Sequence, residues 1–306
     1  MPASHQFRNQ SPELPFSQEQ LAAFRATVLE QGRVLYRDLP WRETRDPYAI
    51  WISEVMLQQT QVLRVDGRWQ RWLSRFPSVG TLACASQADV LEEWQGLGYN
   101  RRALAVQKAA QVLVGEGGAF PQDARALCAL PGIGPATAAG IRAFAFNLHS
   151  VYLETNVRAV LLYELFPGQV GITDKQLTPL VDATCPQDAA DPGDDPRTWY
   201  YALLDYGAYL KRTQPNPSRR SAGHTRQSKF EGSHRQKRAA LVRLLLANRG
   251  SQGITAAQAA QDLTAQEAAA GRPAVTLEAA VALLAELEKE GFCHKIQSPA
   301  GEFWAV

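Results

Sequence analysis

The sequence predicts an all-α protein. Apolar residues recur at helical spacing along most of the chain, and strand-like alternation is nearly absent. Short helix-like segments follow one another, separated by Gly/Pro turns or preceded by Ser/Thr caps. Helices alone, packed around one or two cores, are the layer architecture that such a pattern supports.

Taken in order, residues 1–16 are polar and Pro-containing, the pattern of a flexible arm. Ser17 and Gln20 form a capping-box pair that opens a helix with Leu21, Phe24, Val28 and Leu29 on one face. Leu39-Pro40-Trp41-Arg42 ends it. Tyr48–Gln61 is a second helix, whose apolar spacing (Ile50, Trp51, Val55, Met56) sets Glu54 in an apolar neighbourhood. Helices are expected over Leu63–Phe76, after Ser78, over Ser86–Trp94, and over Arg101–Gly115 after the turn Gly96-Leu97-Gly98-Tyr99. Further helices are expected over Leu153–Phe166, Thr173–Ala183 and Arg197–Arg212, with a flexible acidic loop before the last. Pro215–Gly232 is basic and poor in aliphatic residues, and reads as an extended linker or a DNA-facing loop. Beyond it, helices at Arg235–Asn248, Ala256–Asp262 and Thr276–Glu290 precede a strand–turn–strand over 291–306, a winged-helix-like pattern. Its third helix carries the acidic run Glu286-Leu287-Glu288-Lys289-Glu290, a poor reader of a major groove.

Composition narrows the function classes. The 306 residues carry a formal charge of only +2, so overall charge names no partner. Its distribution does: Lys211–Arg238 holds nine Lys/Arg against the single acid Glu231, whereas Asp182–Asp195 holds five Asp and no base. Four scattered cysteines (Cys84, Cys128, Cys185, Cys293) give neither a metal-cluster spacing nor a disulfide framework and suit a reducing compartment. The N-terminus has no secretory pattern and no apolar run approaches membrane-spanning length. A cytoplasmic protein without a membrane partner is expected, nucleoid-associated if bacterial.

The chain is organised around Leu127–Arg158. Here a helix runs into Pro131-Gly132-Ile133-Gly134-Pro135 and an Ala-rich helix leaves at once. A turn this tight calls for glycine, and the new helix N-terminus offers backbone N–H groups to an anion such as a DNA phosphate. On its own the turn also fits an ordinary helix–turn–helix connection. Glu154 follows about twenty residues later, ahead of Thr155-Asn156 and a new apolar-periodic run. A carboxylate at a helix start, near a phosphate holder, suggests chemistry beside a nucleic-acid backbone, although a first-turn acid also complements a helix dipole.

Four stretches carry a family resemblance: LPWR (39–42), PYAIWISEVMLQQTQV (47–62), GLGYNRRALAVQKAA (96–110) and LPGIGPATAAGI (130–141). Through them the chain resembles the helix-hairpin-helix (HhH-GPD) DNA glycosylases, and within these the MutY-type adenine glycosylases. The resemblance covers roughly Leu39–Arg212. It implies a glycosylase domain over 17–212, with a helical barrel lobe at about 60–150 and a second lobe from 17–59 plus 151–212. A DNA cleft lies between such lobes and takes a base flipped out of the duplex. A basic linker (213–233) and the winged-helix-like domain (234–306) would complete the chain. The resemblance makes Glu54 the general acid/base, Glu154 the second carboxylate and Asn156 an active-site amide. It makes Gln58 and Tyr99 wedges in the opened DNA stack. DNA contact is expected at Gln58, Gln59, Tyr99, Gly132, Ile133, Gly134, Ala136, Thr137, Arg219, Arg220 and Lys229. Double-stranded DNA is the expected partner and a monomer the expected state.

The residue types suit N-glycosidic hydrolysis. A carboxylic acid among apolar groups holds its proton to higher pH and can pass it to the leaving base. A second, ionised carboxylate stabilises the oxocarbenium-like sugar. The chain departs from the family at four points. Its second carboxylate is Glu154 where the family has Asp, a displacement of about an ångström. Ala136 stands where lyase members carry Lys, so a monofunctional enzyme is expected. The stretch from Lys211 has no cysteine where most relatives hold an iron–sulfur cluster in C-x6-C-x2-C-x5-C, so no cofactor and no metal are expected. The family's 8-oxoguanine-sensing domain is not recognisable. Three readings stay open: adenine excision opposite 8-oxoguanine or guanine, excision of mismatched uracil or thymine, and a DNA-binding protein on a retired glycosylase scaffold.

Overall fold

The structure, a computed structural model, describes residues 14–187, 193–225 and 228–306. Most of the arm, residues 1–13, lies outside the described residues, as do residues 188–192 of the acidic loop and residues 226–227 of the linker. The described residues form fifteen α-helices and one C-terminal hairpin, in two compact units. None of these helices is long and apolar enough to cross a membrane.

The first unit holds the described residues up to Ile50, Gln122–Ala124 and Gly134–Thr225. Its helices are α1 (Gln18–Val34), the start of α2 (Pro47–Leu57), α9 (Pro135–Phe146), α10 (Thr155–Glu164), α11 (Asp174–Thr184) and α12 (Pro196–Thr213). The capping box of Ser17 and Gln20 opens α1. Helix α12 is the axis, packed on α1, α9 and α10. Close approach is allowed by missing side chains. A Cβ on Gly32 would lie 2.3 Å from Ala202 Cβ, and one on Gly207 would lie 2.3 Å from the Asn156 carbonyl oxygen. A buried ion pair closes the unit. Arg42, in the 3₁₀ turn Pro40–Arg42, gives Asp205 two parallel bonds of 2.7 Å, and Arg37 adds a third of 2.5 Å. That geometry explains the Arg of the LPWR stretch: only guanidinium meets a carboxylate with a two-pronged donor.

The second unit comprises Trp51–Pro121, Arg125–Ile133 and the described residues of Arg226–Val306. It begins within α2 and contains α3 (Val62–Val65), α4 (Arg68–Arg75), α5 (Val79–Cys84), α6 (Gln87–Glu93), α7 (Arg101–Gly115) and most of α8 (Ala124–Ala129). Helices α13 (His234–Ala247), α14 (Ala256–Ala269) and α15 (Leu277–Lys289) follow. Strands β1 (His294–Ser298) and β2 (Gly301–Ala305) then pair antiparallel, with His294 opposite Ala305 and Ser298 opposite Gly301.

Several expectations are corrected. The helix expected over Leu63–Phe76 is two, α3 and α4, because Gly67 takes φ 76° between them. The helix expected to end at Asp262 runs on to Ala269. Residues 135–146, expected with the lobe at 60–150, belong to the first unit, where Phe144 stacks on Tyr201 of α12 at 4.6 Å. Residues 234–306, expected as a separate domain, join the second unit. Ion pairs bind them there: Arg249 to Asp89 at 2.8 Å, and Arg101 to Glu290 with Nε–Oε2 at 2.6 Å.

Asp205 and Arg42 are essentially without exposed side-chain surface. Asp205→Ala leaves the Arg42 charge buried and is expected to cost about 3–5 kcal/mol of unfolding free energy. The double variant Arg42→Met/Asp205→Leu is expected to recover most of that loss in urea denaturation.

Candidate active site

Glu154 is the N-cap of α10. Its Oε1 accepts from the backbone N–H groups of Asn156 and of Val157, the latter at 2.9 Å, while Oε2 accepts from Asn156 Nδ2 at 3.2 Å. Two N–H groups left over at a helix start are thereby satisfied. The residue keeps some exposed surface, yet its carboxyl is desolvated. Burial pushes its pKa above the ordinary carboxylate value, and the Val157 N–H, Lys211 and the Asn156 N–H pull the other way. Lys211 on α12 completes the cluster, with Nζ 3.0 Å from Asn156 Oδ1 and 3.5 Å from Thr155 Oγ1. Burial lowers the Lys211 pKa, against the raising influence of Glu154. The sequence brought Glu154 and Asn156 together; it missed Lys211, for which the only signal was a basic residue closing an amphipathic helix.

Glu54 is half-buried in α2, whose flanking residues 48–53, 55 and 56 are buried. The helix stops at Leu57, short of the expected Gln61, and Gln59 takes φ 53°. Arg102 explains the stop. Its guanidinium bonds the carbonyls of Val55 (2.6 Å), Gln58 (2.7 Å) and Gly98 (3.0 Å), among others. One side chain thus ties the end of α2 to the turn Gly96–Tyr99. Burial pulls the Arg102 pKa down to about 10. Gln58, Gln59 and Tyr99, predicted as DNA contacts, are all exposed on these two joined loops. Tyr99 holds φ 49°, a costly conformation for a non-glycine residue. Its ring lies under Arg102 at 5.5 Å and Arg235 at 5.7 Å, and its hydroxyl accepts from Arg235 Nη1 at 2.8 Å. Arg235, from α13, was not anticipated.

In the hairpin, Gly132 takes φ 74° and a Cβ there would press on Ala105, whereas Gly134 is extended and meets nothing. Conformation therefore demands the first glycine alone. Gly134 caps α9 without a side-chain acceptor. Gly132, Gly134 and Ala136 are exposed, but Ile133 and Thr137 are buried. The side chains of those two pack inward, which leaves the expected contact there to the backbone.

The basic stretch is not an extended linker throughout. Pro217–Arg220 forms a 3₁₀ turn with Pro217 and Ser218 buried. Arg220 bonds the carbonyls of Leu162, Phe166 (2.7 Å) and Gln169 (3.3 Å), satisfying the C-terminal end of α10 and the chain beyond it. Arg220, expected at a DNA contact, thus has a structural role as well. Arg219 and Lys229 are exposed. Lys211–Arg238, where an iron–sulfur cluster would be expected in relatives, offers no thiol: Lys211 is turned to Asn156, and Ser218 bonds Asn216 at 2.6 Å.

Residues 52–190 match the HhH-GPD superfamily of base excision DNA repair proteins. The chain is 36% identical over 175 residues to an adenine DNA glycosylase of Buchnera aphidicola, which covers 57% of this chain and 48% of that protein. It is 36% identical over 174 residues to the adenine DNA glycosylase of Mycolicibacterium smegmatis, covering 56% and 58% respectively. It therefore spans about half the length of these relatives. Among solved structures, a thermostable thymine-DNA glycosylase aligns with a TM-score of 0.54 and 24% identity over 62% of this chain and 87% of that one. An endonuclease III–DNA covalent intermediate aligns with a TM-score of 0.51 and 16% identity over 70% and 91%. At these identities the two structures speak for the fold alone.

A carboxyl whose folded pKa lies above its unfolded value binds its proton more tightly when folded. Its penalty is absent at low pH and grows as pH rises from the unfolded value, near 4.5, through the folded one. Glu154→Gln keeps an acceptor oxygen for the two N–H groups but turns an NH₂ toward Asn156 Nδ2, a constant cost that does not titrate. Because the variant cannot ionise at this position, its stability relative to wild type is expected to rise as pH rises from about 4 to 7. Urea midpoints against pH measure it, and a difference that is flat or falls over that range would mean that the local donors outweigh burial.

Proposed function

We propose that this chain, whose residues 52–190 match the HhH-GPD superfamily of base excision DNA repair proteins, is a monofunctional DNA glycosylase that hydrolyses the N-glycosidic bond of a flipped-out adenine. The mispair would be adenine opposite 8-oxoguanine or guanine. The relatives at 36% identity are adenine DNA glycosylases, which favours adenine over other bases. The observation that carries the proposal is Glu154. A binding protein could cap α10 with a short neutral side chain, whereas a desolvated carboxylate held by two backbone N–H groups and an amide is what a developing sugar cation requires.

The reaction assigns one role to each group. Glu54 delivers a proton to the departing base. Positive charge then develops on the sugar, and Glu154 meets it. A carboxylate already fixed by donors and shielded from water needs no reorganisation when that charge appears, which is the condition for strong electrostatic stabilisation. A water adds its oxygen to the sugar C1′ and returns a proton to Glu54. Gln58 and Tyr99, on loops joined by Arg102, would fill the gap left by the flipped base. Ala136 supplies no amine, so the abasic strand stays intact until alkali cuts it. The enzyme would act on duplex DNA as a monomer, without a metal cofactor.

The test is incubation with duplexes carrying A opposite 8-oxoguanine, A opposite G, U opposite G and T opposite G, followed by alkali. Alkali-dependent cleavage of the A strands alone is expected. Cleavage at U or T would change the target base, and none anywhere would overturn the enzymatic proposal. Glu54→Gln is expected to lower the single-turnover rate by about 10²–10⁴ while DNA affinity stays within about threefold of wild type. Binding should weaken steeply with salt, since phosphate contacts release counterions. The purified protein should lack the visible absorption of an iron–sulfur centre.

A further inference from the structure

Asn156 stands between Glu154 and Lys211. Its Nδ2 is 3.2 Å from Glu154 Oε2 and its Oδ1 is 3.0 Å from Lys211 Nζ. The two ends of an amide are nearly equal in size, so its sense is decided by its partners. Here they agree. An ammonium only donates and must face the oxygen; an ionised carboxylate only accepts and must face the NH₂. Reversed, the amide would set donor against donor and acceptor against acceptor.

We propose that Lys211 is a positioning residue for the glycosylase reaction, acting through Asn156 to fix the orientation of the Glu154 carboxylate. The proposal rests on Glu154 being the group that stabilises the sugar cation. Its geometry comes from α12. Gly207 lets α10 approach, and Lys211, four residues on, lies on the same face one turn later. Among the described residues Lys211 has two polar partners, the side-chain oxygens of Asn156 and Thr155. The other cations near the cluster are committed elsewhere. Arg158, on α10, pairs with Asp174 of α11 at 2.8 Å, and Arg37, after α1, pairs with Asp205 at 2.5 Å. Lys211 is thus the charge left to serve the Glu154 carboxylate, and it does so without a direct ion pair that would neutralise it.

The experiment compares wild type, Lys211→Met and Lys211→Arg as full-length proteins. The Glu154 carboxyl is titrated by NMR on ¹³Cδ-labelled glutamate and assigned by the signal missing from Glu154→Gln. Lys211→Met is expected to move that midpoint upward by about one pH unit, and Lys211→Arg to leave it near wild type. On the duplex that wild type cleaves, Lys211→Met should be about tenfold slower at pH 7 in single turnover. The acid limb of its pH profile should shift in step, with DNA affinity within about twofold. Asn156→Leu combined with Lys211→Met should be no slower than Asn156→Leu alone, because the lysine acts through the amide. An unmoved Glu154 midpoint, or costs that multiply in the double variant, would overturn the proposal. If Met at 211 prevents folding, Lys211→Gln removes the charge with less change in polarity and carries the same expected midpoint shift. Should wild type excise no base, the titration still decides the role of Lys211, and the glycosylase proposal alone falls.

Discussion

The close approach of α10 to α12 at Gly207 is the constraint on which the carboxylate site depends. Any side chain at 207 would meet the Asn156 carbonyl oxygen and its Cβ. It would therefore push on the residue that joins Glu154 to Lys211. Helix α12 has to sit within that tolerance, and the rest of the first unit locks it there. Gly32 lets α1 settle on Ala202, and Arg42 clamps Asp205 from the other side of the same helix segment. A displacement of about an ångström is enough to cost a preorganised site much of its effect. Two absent side chains and one buried ion pair supply that accuracy.

What the sequence showed was what local chemistry decides. The capping box at Ser17, the whole of α7 and the hairpin turn were legible because their signals lie within a few residues of one another. What it concealed was the work of long arginines. Arg102 ends α2 by taking carbonyls more than forty residues away. Arg220 turns a basic stretch into a closure for α10 across 58 residues. The surplus of positive charge near residue 220 looked like a nucleic-acid surface, and part of it is internal. The acidic run at 286–290 was read as a poor DNA reader. Glu286 and Glu290 are engaged by Arg238, and Glu290 also by Arg101, which is why residues 234–306 do not stand apart from the second unit.

Arg102 also shows how one residue can serve folding and recognition together. A buried guanidinium is costly unless its donors are used, and oxygens of two loops use both terminal nitrogens, while Nε is left without a partner among the described residues. The cost is met at the place where Gln58, Gln59 and Tyr99 are exposed on two adjoining loops. Tyr99 adds its own unfavourable backbone conformation, with the guanidinium groups of Arg102 and Arg235 over its ring. Strain of this kind persists only where neighbours over-determine it. Under the proposed function, a side chain that enters a base stack would benefit from having lost its freedom beforehand.

The exchange of the family's Asp for Glu154 has a physical account in the same terms. Short side chains make the better N-caps because they reach their own helix's N–H groups directly. Glu154 nevertheless places one oxygen on both N–H groups, so its extra methylene is taken up within the side chain. The second oxygen then falls to Asn156, and Asn156 is oriented from its far end by Lys211. Lys211 begins the stretch in which relatives carry cluster cysteines. The longer acid and the lysine therefore lie in one hydrogen-bonded chain: the acid departs from the family at one end, and the lysine supplies the charge that a more flexible carboxylate needs at the other.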